Sequence, residues 1–406
     1  MDRIALMEKM RNSLDAGIKQ GIFPGGAVCL LREGEEAITL ARGKTGTASA
    51  EPLAAADTLY DMASLTKVMV TLPLVLLSVQ DGRLSLSDPV VDYLPELGEG
   101  TDKSTKEKIK VIHLLTHSSG LAAWRPYFLR GSGQAEYVRL IADEPMLGQP
   151  GEAVVYSDLG FMLLGFLLER VWQEELPSLA KRLVFDPSGM HHTGYLPLQQ
   201  PAWKECTIAP TEEGNRYEQN MALQYIVQLE ATGDPRAAEW KDMLDNFGWR
   251  QGVIRGTVHD CNAYYGLQGV SGHAGLFSTL DDAARYMAIW TTADAPVRID
   301  PILRAFSTRA QTDLLAPRRA VGWEASAPGG GLKQAAYGCT GGDLLSDCAF
   351  GHSGFTGTSI WSDPMRRATL ITLTNRVHPV VSTQMNRWRR AHHNQLFSAI
   401  PPMDRL

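Results

Sequence analysis

Two places in the 406-residue chain set a serine three positions ahead of a lysine: Ser64-Leu65-Thr66-Lys67 and Ser178-Leu179-Ala180-Lys181. Residues three apart share a helix face, so in each pair the amine can sit beside the hydroxyl. A serine hydroxyl is a poor nucleophile until a neighbouring base takes its proton, and the lysine is placed to help. A helix N-terminus adds backbone N–H groups that can hold an oxyanion. The spacing is not rare: about one match per few hundred residues arises by chance. The plain alternative for Ser64 is a helix N-cap.

Other residues could join such chemistry. Tyr156-Ser157-Asp158 is the only Tyr-x-Asn/Asp in the chain, and it directly precedes an apolar run beginning at Leu159. Three triplets combine a base, a hydroxyl and a glycine: Lys44-Thr45-Gly46, His192-Thr193-Gly194 and His352-Ser353-Gly354. Asp158 also suits the N-cap of the following helix. His113 and His117 stand four apart and imitate a metal pair, but no H-E-x-x-H carboxylate accompanies them, so metal binding is not expected. His259-Asp260 and His273 could gather near a site, although satisfied structural hydrogen bonds are the commoner fate of such groups. The five cysteines are odd in number and irregularly spaced, which fits neither a disulfide framework nor zinc. Cys339 and Cys348 flank a Gly-rich loop and would pair only in an oxidising compartment.

The elements that must position these residues follow from periodicity. Ile4, Met7, Leu14 and Ile18 approximate one face of an N-terminal amphipathic helix. Gly26–Leu31 and Ala37–Ala41 read as two strands around the polar turn Arg32–Glu36. From about Ser64 to about Leu267 the pattern is mostly helical. Thr356–Trp361 and Ala368–Thr374 flank the turn Asp363–Arg367 as an antiparallel hairpin, and a last helix carries Val381, Met385, Trp388 and Leu396. Strands at both ends around a helical middle predict one sheet built from both termini. The expected division is a sheet domain from 1–62 and 268–406 and a mostly helical domain from 63–267, with the site between them.

Composition is that of an ordinary globular chain, 44% hydrophobic and 21% charged, with a net charge of −6. No polybasic stripe is present, so nucleic acid and anionic membrane are not expected partners. The runs Val68–Val79 and Leu159–Leu168 are too short to span a bilayer. The first twenty residues mix charges through any apolar stretch, unlike a secretory signal, so a cytoplasmic location is expected.

The order of Ser64-x-x-Lys67, Tyr156-x-Asp158 and the late triplet His352-Ser353-Gly354 resembles the three signature elements of class C β-lactamases, D-alanyl-D-alanine carboxypeptidases and β-lactamase-like esterases. Ser178 has no tyrosine motif after it, and the two earlier triplets lie in the wrong part of the chain. Further segments are similar to the same family: Phe23-Pro24-Gly25-Gly26-Ala27, Asp81–Pro89, Leu114–Leu121 (LLTHSSGL), Gly272–Thr279 and Gly357–Trp361. The resemblance runs from about Phe23 to about Pro379. It implies an α/β (α+β) fold of the β-lactamase/transpeptidase type: an antiparallel sheet flanked by helices, with an inserted helical region.

For function, the resemblance implies a metal-independent serine hydrolase without cofactor that forms an acyl-enzyme on Ser64. Its partner would be a small ester, amide or β-lactam; oligomeric state is left open. Esterase, D-Ala peptidase, β-lactamase and transacylase are the rival activities, and an inactivated binding protein is the rival from another class. Lys67 and Tyr156 would share the base and proton-relay work, and the backbone N–H groups of Ser64 and Phe355 would form the oxyanion hole. For Lys67 to act as a neutral base, its usual value of about 10.4 would have to fall by roughly three pH units. Asp158, His352, Ser353 and Gly354 would meet substrate, with Trp124 and Tyr127 lining the acyl pocket. Asp158 stands where a β-lactamase has Asn, and His352 where it has Lys. An anion and a part-time cation should weaken carboxylate recognition, favouring neutral esters over penicillins.

Overall fold

The computed structural model describes residues 2–403. Among these described residues eight strands are formed: β1 Gly25–Arg32, β2 Ile38–Gly43, β3 Tyr60–Asp61, β4 Phe277–Ser278, β5 Glu324–Ala325, β6 Phe350–Ser353, β7 Ser359–Asp363 and β8 Ala368–Thr374. Six make one antiparallel sheet in the order β2-β1-β8-β7-β6-β5, and β3 pairs with β4 apart from it. Both chain ends therefore meet at the sheet centre, where Val28 lies opposite Thr372.

Alternation along the strands divides the side chains between two cores. Ala27, Cys29, Ile360, Ile371 and Leu373 face the large core shared with the helical middle. Val28, Leu30, Trp361 and Leu370 face a second core roofed by the terminal helices Arg3–Lys19 and Met385–Phe397. On the N-terminal helix the expected face packs inward except at its first residue: Leu14 is buried and Met7 and Ile18 are partly buried against this core, joined by Leu6 and Met10, while Ile4 is 80% exposed. The i, i+4, i+8 stripe carries the larger continuous apolar surface, and packing follows it. Val381 lies before the last helix rather than on it.

Two apolar segments run through the large core. A π-helical turn, Lys67–Thr71, leads into the helix Leu72–Gln80. The helix Asp158–Trp172 has ten consecutive buried residues, Leu159 to Leu168. A helix apolar on all sides is stable only when surrounded. The two elements contact each other, and each delivers one end to the same cleft. No helix among the described residues is long and apolar enough to cross a membrane.

The C-terminal hairpin is shorter than its sequence pattern predicts. Thr356–Thr358 form a turn, not strand: Gly357 has φ +120° and Gly354 N–H donates to Thr358 O at 2.8 Å. His352 and Ser353 form part of β6 itself, paired with Ile360 and Ser359 of β7.

Candidate active site

Ser64 sits in the tight turn between β3 and the helical segment that begins at Leu65. The residue before it, Ala63, adopts φ +46°, a left-handed conformation costly for a residue with a Cβ. Asp61 holds that turn: its carboxylate accepts from Ala63 N–H at 2.8 Å and from His259 N–H at 2.7 Å. No capping bond uses the Ser64 hydroxyl; its partner is Lys67 Nζ, at 2.9 Å.

Lys67 is fully buried and spends its three protons on three acceptors: Ser64 Oγ at 2.9 Å, Asp158 Oδ1 at 2.7 Å and the His273 carbonyl at 3.1 Å. Burial works to lower its pKa, but the Asp158 carboxylate, aided by Tyr156, outweighs burial and leaves it raised. The fall of three pH units required of a neutral lysine base is thus reversed in direction. The cause is the residue at 158: an amide there could not hold the ammonium as a carboxylate does. Asp158 does not cap its helix either; Ser157 Oγ takes that role by accepting from Gly160 N–H at 3.2 Å.

Behind Lys67 lies a second polar group. His273 Nε2 is 3.1 Å from Asp260 Oδ1, and its Nδ1 bonds Ser271 Oγ at 2.7 Å. Burial would raise Asp260, yet His273 and backbone N–H bonds bring it below the usual carboxylate range. Asp158, Asp260 and His273 bring ligand atoms within 4.8 Å of one another, an arrangement that could hold a cation. Lys67 already presents its ammonium to that cluster. His113 and His117 are not a pair: His113 Nδ1 accepts from Lys110 N–H, while His117, beyond the helix end at φ +56°, accepts from Ser157 N–H at 3.0 Å.

The turn after β6 closes over the nucleophile. Thr356 Oγ1 donates to Asp61 O at 2.6 Å and Thr358 Oγ1 to Met62 O at 3.1 Å, so two hydroxyls tie this loop to the serine turn. The approach is backbone to backbone. A Cβ on Gly354 would lie 2.1 Å from Thr358 Oγ1 and 2.5 Å from Met62 O, so only glycine fits. Among the described residues, the N–H groups of Ser64 and Phe355 donate to no acceptor, and both residues face the same cleft.

That cleft has a volume of about 210 Å³. Ser64, Tyr156, Asp158, Trp124, Phe355 and His273 line it, together with Tyr217, Glu218 and Met221 from the helix Arg216–Thr232. Glu218 is buried and held well above the usual carboxylate range by burial and by Asp260. Tyr127 is not part of the wall. It is 1% exposed and packs edge-on against Tyr137 in the core.

His352 is 3% exposed and stands 5.9 Å from the Tyr156 ring without lining the cleft. Burial, then Arg319 and Lys67, push its pKa well below the usual imidazole value. Burial thus disfavours the cationic form of His352, weakening the part-time cation expected at this position. Two cations stand beside Tyr156: Lys67 Nζ at 5.0 Å from the ring centroid and the Arg319 guanidinium carbon at 5.1 Å, the latter behind the cleft rather than lining it. Arg319 is 8% exposed, and its side chain makes no ion pair or hydrogen bond among the described residues.

The competing motifs fall elsewhere. Ser178 and Lys181 are exposed, with Lys181 paired to Asp186. Lys44 donates to Ser49 O, and Thr193 Oγ1 bonds Ser278 and Asp282. All five cysteines are free thiols. Sequence reasoning missed Asp61, Arg319 and the Tyr217–Met221 wall. Asp61 lies three residues from Ser64 and was within reach of inspection; Arg319 and the wall come from distant segments that no local pattern connects.

A serine–lysine pair beneath a β6–β7 turn, with two free N–H groups at one cleft, defines a serine acyl hydrolase of the β-lactamase/transpeptidase fold. The comparisons agree: the Beta-lactamase family profile matches residues 10–395, and the chain belongs to that family. It is 30% identical over 349 residues to a putative D-alanyl-D-alanine carboxypeptidase of Escherichia coli (strain K12), covering 82% of this chain and 73% of that one. A putative carboxypeptidase of the same description from Salmonella agona (strain SL483) is 28% identical over 399 residues, covering 93% and 83%. Among solved structures, EstCE1, a hydrolase with promiscuous acyltransferase activity, superposes with a TM-score of 0.70 at 19% identity, over 96% of this chain and 99% of that one. A class C β-lactamase from Rhodobacter sphaeroides gives 0.66 at 17% identity, over 97% and 99%. These two likenesses concern the fold.

Proposed function

We propose that Ser64 is the nucleophile of a metal-independent acyl hydrolase whose small-molecule substrates carry a carboxylate on the leaving side of an ester or amide bond. The observation that carries the reading is Lys67 Nζ, set between Ser64 Oγ at 2.9 Å and Asp158 Oδ1 at 2.7 Å. Lys67 holds its proton at rest, so the base is the pair. As Ser64 Oγ attacks the acyl carbon, its proton passes to Nζ while Nζ gives one to Asp158. The oxyanion forms between the N–H groups of Ser64 and Phe355, an interaction worth about 3–4 kcal/mol in related chemistry. The leaving group collects the proton by way of Tyr156, and water then resolves the acyl-enzyme.

The charge pattern supports the substrate class. Asp158 is neutralised by Lys67 and does not oppose an anion, while Arg319 offers an unpaired guanidinium beside Tyr156. On this reading carboxylate-bearing substrates are favoured over the neutral esters expected from residues 158 and 352 alone. The carboxypeptidase names of the relatives point the same way. Five free thiols fit the reducing conditions of the cytoplasm.

Intact-mass measurement after fluorophosphonate treatment should show one adduct, lost in Ser64→Ala and kept in Ser178→Ala. Arg319→Gln should cut kcat/KM for a D-alanyl-D-alanine peptide or a penicillin by at least 10-fold and leave p-nitrophenyl acetate within 2-fold. Equal losses on both substrates, or an unmodified Ser64, would defeat the reading. Dialysis against EDTA should leave turnover unchanged; loss restored by zinc would turn attention to Asp158, Asp260 and His273.

A further inference from the structure

Two more arginines without carboxylate partners lie behind the turn that carries Phe355. Arg389, on the last helix, is 3% exposed; its Nη2 is 3.5 Å from the Gly354 carbonyl oxygen and its Nη1 is 3.2 Å from Asn386 Oδ1. Its Nε has no partner among the described residues. Arg376, just after β8, donates from Nε to Phe355 O at 2.6 Å and from Nη1 to Ser382 O at 2.8 Å. Its guanidinium carbon stands 4.2 Å from the centroid of the Phe355 ring. Neither arginine forms an ion pair among the described residues. Burial lowers both, Arg376 to about 10 and Arg389 to about 9; Arg376 adds to the cost of Arg389, and the more distant Glu212 and Glu324 offset only part of it.

A buried charge with no counter-ion is an expensive feature, and an apolar side chain of similar size would fill the place more cheaply. The geometry indicates what offsets the expense. The Gly354 carbonyl and the Phe355 N–H belong to one peptide group. A cation on the oxygen side polarises that group and strengthens its N–H as a donor. The low dielectric that makes Arg389 costly also lets its field reach a charge forming on the far side of the peptide.

We propose that Arg389, with Arg376 orienting the next carbonyl, is a positioning residue that strengthens the Phe355 N–H toward the developing oxyanion. The proposal rests on the assignment of Ser64 and Phe355 above, and goes beyond it by giving the oxyanion hole a buried cationic support built from the C-terminal helix. Its charge acts in the transition state, where the oxyanion exists, and not on the bound ground state.

The test combines Arg389→Met, Arg389→Gln and Arg389→Lys with a boronic acid that forms a tetrahedral adduct on the serine. Met and Gln should each lower kcat about 10-fold or more, with KM within 2-fold, and weaken the boronate by the same factor. Lys, which keeps the charge, should retain most of kcat. The Met variant should melt no lower than wild type, because an unpaired buried charge has been removed. A structural role would give the opposite pairing: slow variants that also melt early, with Lys as slow as Met. That pattern, or wild-type kcat in Met and Gln, would overturn the proposal; if Met does not fold, the Gln and Lys comparison decides between the same outcomes. Failure of wild type itself to take a fluorophosphonate on Ser64 would remove both readings at once, whereas a labelled Ser64 with an unaltered boronate affinity removes only this one.

Discussion

Asp158 shows how one oxygen in place of one amide nitrogen changes what its neighbours can do. With a carboxylate 2.7 Å away, Lys67 remains an ammonium despite complete burial. The proton of Ser64 must then travel through Lys67 rather than stop on it. Asp158→Asn should therefore lower kcat by about 10²–10⁴-fold, the range for losing a positioned base. A faster Asp158→Asn enzyme would mean that neutral Lys67 is the base and that Asp158 only restrains it. Gly354 gives a second expectation at this scale. Gly354→Ala must displace either Thr358 Oγ1 or the Met62 carbonyl, both inside van der Waals contact of the new Cβ. Turnover should fall while the variant still folds, read by kcat beside an unaltered near-ultraviolet circular dichroism spectrum.

At the scale of elements, the site depends on how closely the helix Asp158–Trp172 approaches the Gly272–His273 segment. A Cβ on Gly272 would lie 2.3 Å from Phe161 O, and one on Gly165 would lie 2.9 Å from Gly272 N. Thr71 Oγ1 adds a bond to Gly272 O at 2.6 Å, tying the same segment to the π turn. The contact delivers the His273 carbonyl to Lys67. Gly272→Ala should push the segment away, costing about 1–3 kcal/mol of stability by overpacking. It should also lower kcat, because the shift moves the His273 carbonyl that accepts from Lys67. An unchanged kcat alongside the stability loss would show that the carbonyl bond is dispensable. The helix type was legible from ten successive apolar residues; the glycine contact was not, because it joins positions about a hundred residues apart.

For the whole molecule, histidine burial sets the response to acid. His117, His352, His392 and His393 are each buried, and burial above all pushes each below the usual imidazole value, His392 to about 3. In the unfolded chain they titrate near 6.5, so below that pH the unfolded state binds more protons than the folded one. Stability is complete above pH 6.5 and is lost as pH falls, at about 1.4 kcal/mol per pH unit for each imidazole. Against a typical stability of about 5–15 kcal/mol, the combined loss should be measurable by pH 5. Urea midpoints measured from pH 8 to pH 5 would show the decline; a flat midpoint from pH 7 to pH 5 would contradict it.

The family resemblance carried by Ser64, Lys67, Tyr156 and His352, with the strands at the two chain ends, anticipated the fold; Ser64 and Tyr156 face the cleft, whereas His352 does not line it. Those features are local: helical spacing puts Lys67 beside Ser64, and alternation gives β1 and β8 their two buried faces. The charge state of the site was not local. Lys67 keeps its proton because a residue 91 positions away meets it in the core. His352 loses its charge because the sheet buries it beside Arg319. Tyr127 left the pocket because core packing claimed it. Electrostatics in a low-dielectric interior depends on every group within a few ångströms, whatever its place in the sequence, and only the tertiary structure brings those groups together.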